Sequence, residues 1–315
     1  MYKLIRYFNQ NRKRIIIIII GIVFFLGLIQ LLNYFAKNSN SSNNNVIVKD
    51  TVVNNELVSN KSAVSGSNIA QQKLKRDTDI ITKFMDYCNS GKVEEAYNLL
   101  TDECKEEMYP NVQQFKEIYF DELFNEEKKN YTIQNWTGSI YEVRVTDDIL
   151  STGKIDNTVT KQDYITVVSS ENEYKLNINS YVGRKKVEEE TTYKDIKIVV
   201  TQIDTYMDYQ TYNLTIENNS NNSIKLDTND DTKSIYLLDN NNHSYYFYNN
   251  EINENKLIVQ SKYKNTLKIK FMNPYVSSKR IKKLVFSKMI LNYDEYKNLE
   301  DKTQYKSFIQ FDINI

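Results

Sequence analysis

Tyr141-Glu142-Val143-Arg144-Val145 alternates apolar and charged residues, and there the spacing of apolar positions changes from helical to strand-like. Side chains of a strand point alternately to its two faces, so the stretch predicts a strand with one buried face. Downstream, Tyr164-Ile165-Thr166-Val167-Val168 and the set Tyr174, Leu176, Ile178 predict two more strands, joined by a turn at Glu171-Asn172-Glu173. Upstream, the period is that of a helix. Leu74, Ile80, Ile81, Phe84, Met85 and Cys88 recur at three- and four-residue spacings and stop at Asn89-Ser90-Gly91. Val93, Ala96, Tyr97, Leu99 and Leu100 predict a short second helix, and Pro110 opens a third that holds Phe115, Tyr119 and Phe124. Helices followed by a strand meander predict helices packed on one face of a sheet, over residues 69–183.

Beyond that domain, Gly183-Arg-Lys-Lys-Val-Glu-Glu-Glu-Thr191 is charged, and residues 184–194 read as a linker. The remainder, 195–315, alternates apolar and polar residues in about eight short runs, from Ile196–Val200 to Ile309–Ile315, separated by Asn-rich turns. That is the pattern of a small β-sandwich.

At the other end, Ile15–Ala36 is a run of 22 residues without a charge, including six consecutive isoleucines. As a helix it spans about 33 Å, enough for a hydrocarbon core of about 30 Å. It is too long for the apolar part of a signal peptide and has no small-residue cleavage site after it. Five basic residues precede it and Lys37 alone follows closely, which places residues 1–14 in the cytoplasm and 37–315 outside. Residues 37–68, rich in Asn and Ser, read as a flexible linker. The chain as a whole is expected to be α+β: an N-terminal transmembrane helix, a helix-on-sheet domain and an all-β sandwich. The localisation that follows is the cell membrane, single-pass, with the C-terminal region extracellular.

The 41 basic and 41 acidic residues cancel. Six of the basic ones and none of the acidic ones lie in residues 1–40, which leaves the remainder at a net charge of −6. A mildly acidic surface is a poor match for phosphate backbones, so no nucleic-acid partner is expected. With only seven glycines, phosphate-binding loops are not expected either.

Catalytic signatures are absent from the sequence. His243 is the only histidine and sits in the turn-like run Asp239-Asn-Asn-Asn-His243, as an exposed loop residue would. Ser-His-Asp triads, Cys-His pairs and multi-histidine metal sites all need a histidine near the chemistry, and the one present reads instead as a loop residue. Cys88 and Cys104 are the only cysteines. Their spacing fits neither a zinc knuckle nor a redox pair, and two readings stand: a disulfide clipping the first helix to the second, or two buried thiols. Tyr245-Tyr246-Phe247-Tyr248 is dense in aromatics. It is either a half-buried strand or, through its outward half, a contact surface for a protein or glycan. Tyr97, Tyr119 and Trp136 are candidates to line a cavity in the helix-on-sheet domain, with core packing as the alternative.

Phe84-Met-Asp-Tyr-Cys-Asn-Ser-Gly91, Glu95-Ala-Tyr-Asn-Leu-Leu100, Gln162-Asp-Tyr-Ile-Thr-Val-Val168 and Glu173-Tyr-Lys-Leu-Asn-Ile-Asn179 together resemble the NTF2-like superfamily. The similarity is to extracytoplasmic domains of low-GC Gram-positive bacteria found behind a membrane anchor, and it covers residues 75–183. It implies a cone-shaped helix-on-sheet fold and brings no catalytic residue. The C-terminal part resembles the Ig-like sandwiches that accompany such domains. No enzyme activity, cofactor or metal is expected. The expected partners are the membrane through residues 15–36, and an envelope protein or a second copy of the chain. The alternative is a small-molecule binder or enzyme using the cone.

Overall fold

The computed structural model describes residues 51–53, 56–124, 128–147, 159–170, 173–228, 233–248 and 252–315. Residues 49–315 form one compact unit with two large hydrophobic cores and a small third cluster of Ile290, Tyr296 and Tyr305. The tail 1–14, the expected membrane span 15–36 and the first part of the linker lie outside the described residues.

Two short antiparallel strands open the unit, β1 (Thr51–Val53) and β2 (Glu56–Val58). The linker expected as free coil to residue 68 is held well before that point. Val58 is buried in the first core, Ser62 Oγ donates to the Trp136 carbonyl at 2.7 Å, and the Ala63 N–H donates to the Asn135 carbonyl at 2.9 Å.

Helix α1 (Gln71–Asn89) buries Leu74, Ile81, Phe84, Met85 and Cys88 along one face. It ends where Gly91 takes a φ of +68°, a conformation that side-chain-bearing residues enter only with strain. Helix α2 (Val93–Asn98) follows, then α3 (Asp102–Met108), which the apolar spacing did not reveal. Thr101 caps α3 by accepting the Cys104 N–H at 3.0 Å. Helix α4 (Val112–Phe115), a π-helical turn (Lys116–Phe120) and α5 (Asp121–Leu123) run on from Asn111, whose side chain accepts the Gln114 N–H at 2.9 Å. Pro110 therefore stands just before the cap and not in the first turn. These helices pack on the antiparallel sheet β3 (Lys129–Thr137), β4 (Ile140–Asp147), β5 (Val159–Ser170) and β6 (Glu173–Asn177), in that order.

Of the charged run 184–194 expected as linker, residues 184–193 are strand and Lys194 opens the turn. Strand β7 (Tyr181–Tyr193) pairs along its length with β8 (Ile196–Tyr206). Backbone pairing needs no apolar side chains, and β7 sits at a sheet edge where only Val187 of that run turns into a core. The hairpin spans both cores: Tyr181 and Tyr206 belong to the first, Val187 and Ile198 to the second.

Strands β9 (Gln210–Asn218), β10 (Ile224–Lys225), β11 (Ile235–Asp239), β12 (Ser244–Tyr246), β13 (Ile258–Val259), β14 (Tyr263–Phe271), β15 (Ile281–Ile290) and β16 (Phe308–Asn314) complete the unit, with helix α6 (Tyr293–Asn298) between the last two. One sheet has the order β14-β9-β8-β7; the other runs β12-β11-β15-β10-β13, with β16 also on β15. Ile198, Leu214 and Ile269 of the first face Leu237, Phe286 and Phe311 of the second. Each such side chain taken from water contributes about 1.5–3 kcal/mol.

The α+β class with a transmembrane helix is thus corrected. The described chain is mostly β, because the charged run expected as linker is paired strand and adds to the strands of 195–315. The span expected at 15–36 lies outside the described residues, and among these no helix is long and apolar enough to cross a membrane. The longest, α1, carries Lys73, Lys75, Arg76, Asp77, Asp79, Lys83 and Asp86.

Candidate functional site

The interior of the helix-on-sheet part is filled by aromatic rings. Phe115 of α4 stacks on Tyr119 with centroids 5.7 Å apart, and it meets Tyr109 at 5.6 Å, Tyr97 at 5.8 Å and Phe84 at 6.4 Å. Tyr97 and Tyr119, expected to line a cavity, are thus members of one packed cluster, with Tyr119 buried and Tyr97 half-buried. Trp136 is elsewhere, at the end of β3 against Tyr164 at 5.2 Å. None of the three lines the two cavities described below.

Beneath the cluster, Asp163 of β5 is fully buried. It accepts the Tyr119 hydroxyl and the Asn179 N–H, each at 2.9 Å, and the Ser180 N–H at 2.9 Å. Burial raises its pKa, opposed by these hydrogen bonds and by Lys161. Asn179 and Ser180 both have positive φ, so this carboxylate holds a strained turn that feeds strand β7. Buried and fully engaged by three donors, it serves the structure of this turn.

The open concavity lies on the outside, between α1 and β6. It measures about 620 Å³ and is lined by Lys75, Arg76, Asp79, Ile80 and Lys83 of α1, by Leu99, and by Glu173, Tyr174 and Lys175. Arg76 is its fixed point. The guanidinium lies over the Tyr174 ring at 4.1 Å and donates to the Tyr174 hydroxyl at 2.9 Å. Its Nε and Nη2 donate to Asp77 Oδ1 at 2.9 and 2.7 Å. Asp77 is itself buried and also accepts the Tyr141 hydroxyl at 2.9 Å and Lys73 at 2.5 Å. Burial disfavours the Arg76 charge, but the Asp77 contacts outweigh it and raise the pKa. Ile80, Leu99 and Tyr174 form an apolar floor, and cations outnumber carboxylates around the rim. No motif marks this groove in the sequence: Arg76 and Tyr174 are 98 residues apart.

The other candidate residues are apart from the groove. Cys88 and Cys104 are separate buried thiols, and burial raises both, Cys104 to about 12. Phe247 is buried in the second core, while Tyr246 and Tyr248 are 42% and 37% exposed and Tyr245 is half-buried with its hydroxyl on Asp239. His243 is exposed, with Nδ1 at 3.3 Å from Asp239. Among the described residues no group of His, Cys, Asp and Glu is placed to hold a metal ion.

Compared with known proteins, the chain matches no family model, no curated protein and no solved structure, so the NTF2-like and Ig-like resemblances gain no support from a known relative.

Proposed function

We propose that this chain is a non-enzymatic binding protein whose groove between α1 and β6 takes an acidic, partly apolar segment of a partner protein. The observation that carries the reading is the Arg76 guanidinium, fixed by buried Asp77 and stacked on Tyr174 at the centre of an open concavity. Lys75, Arg76, Lys83 and Lys175 outnumber Asp79 and Glu173, which favours carboxylates on the incoming segment. The filled aromatic interior supports the binding reading over the small-molecule or enzyme alternative, because a sheltered reaction needs an internal space.

An apolar side chain seated on Ile80, Leu99 and Tyr174 contributes about 1.5–3 kcal/mol, and each rim ion pair about 0.2–1 kcal/mol. One such groove gives a weak contact, suited to an assembly held by several contacts at once.

The groove is tested with the full chain in its native cells, a photoreactive residue replacing Ile80. The expected result is one discrete adduct that disappears when Lys75 and Lys83 are both changed to Glu. It is absent when the photoreactive group sits instead at exposed Thr132 on β3. An adduct of twice the chain's mass identifies the partner as a second copy. No adduct at position 80, the same adduct from both positions, or an adduct indifferent to the charge reversal overturns the reading.

A further inference from the structure

A second cavity, of about 420 Å³, opens at the end of the sandwich between strands β7–β9 and the segment that follows β14. The side chains lining it include Lys185, Lys279 and Arg280 and no Asp or Glu. Beside these cations runs a fixed row of neutral hydrogen-bonding groups. Lys279 Nζ donates to Asn273 Oδ1 at 2.6 Å and to the Pro274 carbonyl at 2.5 Å. Asn273 is buried and its Nδ2 donates to Gln210 Oε1 at 2.7 Å, while Gln210 Nε2 donates to Thr205 Oγ1 at 3.1 Å. The carboxylate whose field reaches Lys279 is Asp239, and its oxygens are taken by the Asn241 and His243 N–H groups and the Tyr245 hydroxyl.

Donor capacity is left over. Arg280 Nη1 serves the Ser277 and Lys279 carbonyls, which leaves Nε and Nη2 without a partner among the described residues. Lys185 Nζ is likewise without one. Burial lowers the Lys279 pKa, so an anion bound there restores what desolvation takes away.

We infer that this cavity binds an anionic sugar, with the acidic group on Arg280 and Lys185 and the ring hydroxyls on the Asn273–Gln210 row. A guanidinium with a free edge is shaped for a carboxylate or phosphate. Side-chain amides and hydroxyls held in register suit a hydroxyl-rich ring, and Val276 and Ile281 offer apolar surface to its C–H faces. The volume falls within the ~300–1,000 Å³ typical of small-ligand sites.

The test is titration of the full chain, at low salt, with glucuronic acid, glucose and inorganic phosphate, followed by calorimetry or amide chemical shifts. Saturable binding of glucuronic acid is expected, at least about tenfold tighter than either glucose or phosphate, the equivalent of ~1.4 kcal/mol. Arg280→Gln and Lys185→Gln are each expected to weaken it about tenfold or more, while Lys128→Gln, at an exposed position that lines neither cavity, leaves it unchanged. Both substituted residues are exposed, and an unchanged Tm confirms the fold. Glucose binding as well as glucuronic acid, phosphate binding as tightly, absence of saturable binding, or indifference to both substitutions overturns the inference.

Discussion

Arg184 and Glu106, 78 residues apart in sequence, meet with guanidinium Nη1 2.7 Å from carboxylate Oε2. The same guanidinium donates through Nε to Asp204 Oδ1 at 2.7 Å and reaches Glu107 at 3.3 Å. Glu107 in turn accepts the Tyr206 hydroxyl at 2.6 Å and pairs with Lys268. Helix α3, which covers the first core, is thereby tied to β7, β8 and β14, which build the second. The side chains of Arg184 and Asp204 are 6% and 1% exposed, so this is a buried ion pair and not a surface one.

Removing the cation leaves Asp204 buried and unbalanced. Arg184→Met is expected to lower unfolding stability by about 3–5 kcal/mol. Glu106→Gln, whose side chain is 69% exposed, is expected to cost less than about 1 kcal/mol. Urea midpoints of the two variants measure the difference. Equal, small losses show that the network does not hold the two cores together.

Asp163 yields a pH dependence with a definite sign. Burial raises its folded pKa above the unfolded value of about 3.9. Its contribution to stability is therefore full below that unfolded value and is lost as pH rises through the folded pKa. An Asn at this position keeps a carbonyl acceptor and does not titrate. The stability advantage of the native chain over Asp163→Asn is expected to be larger at pH 4 than at pH 7. Paired urea melts at the two pH values check it, and a gap that widens with pH reverses the assignment.

How much of this was legible beforehand depended on whether a contact is local. The spacing of Leu74, Ile81, Phe84 and Cys88, the stop at Gly91 and the alternation around Tyr141 and Tyr164 are short-range signals, and each appears as an element in the fold. Strand β7 was illegible because an edge strand draws its stability from backbone pairing, and its residues 184–191 contain one buried apolar side chain, Val187. Nothing in the sequence sets Asp77, Asp163 and Asp204 apart from the chain's other carboxylates. Their burial is created by Arg76, Tyr119 and Arg184, and only the first of these partners is near in sequence. The groove was hidden for the same reason: one wall is a helix face and the other a strand almost a hundred residues later.

The two cysteines yield a chemical test. With Cys104 pushed up to about 12, about one thiol in ten thousand is ionised at pH 8, and Cys88 is raised further. Iodoacetamide is expected to leave the native chain unmodified and to label both residues once urea unfolds it. A reducing agent is expected to leave the Tm unchanged. A lower Tm on reduction shows instead that the two are bonded.

Adjacent aromatics in the run 245–248 are expected to behave oppositely, because successive strand residues face opposite sides. Phe247 is 6% exposed and meets Phe271 with ring centroids 6.4 Å apart in the second core. Phe247→Ala removes that ring and leaves a cavity, at an expected cost of about 3–5 kcal/mol. Tyr246 is 42% exposed, and among the described residues its ring partner is the half-buried Tyr236 at 5.9 Å. Tyr246→Ala is expected to stay within about 1 kcal/mol of the native chain, since little surface returns to water and one aromatic pair is lost. Thermal melts of the two variants measure the contrast. Comparable losses at both positions place Tyr246 in the packing of the sandwich and remove it from the surface open to a partner.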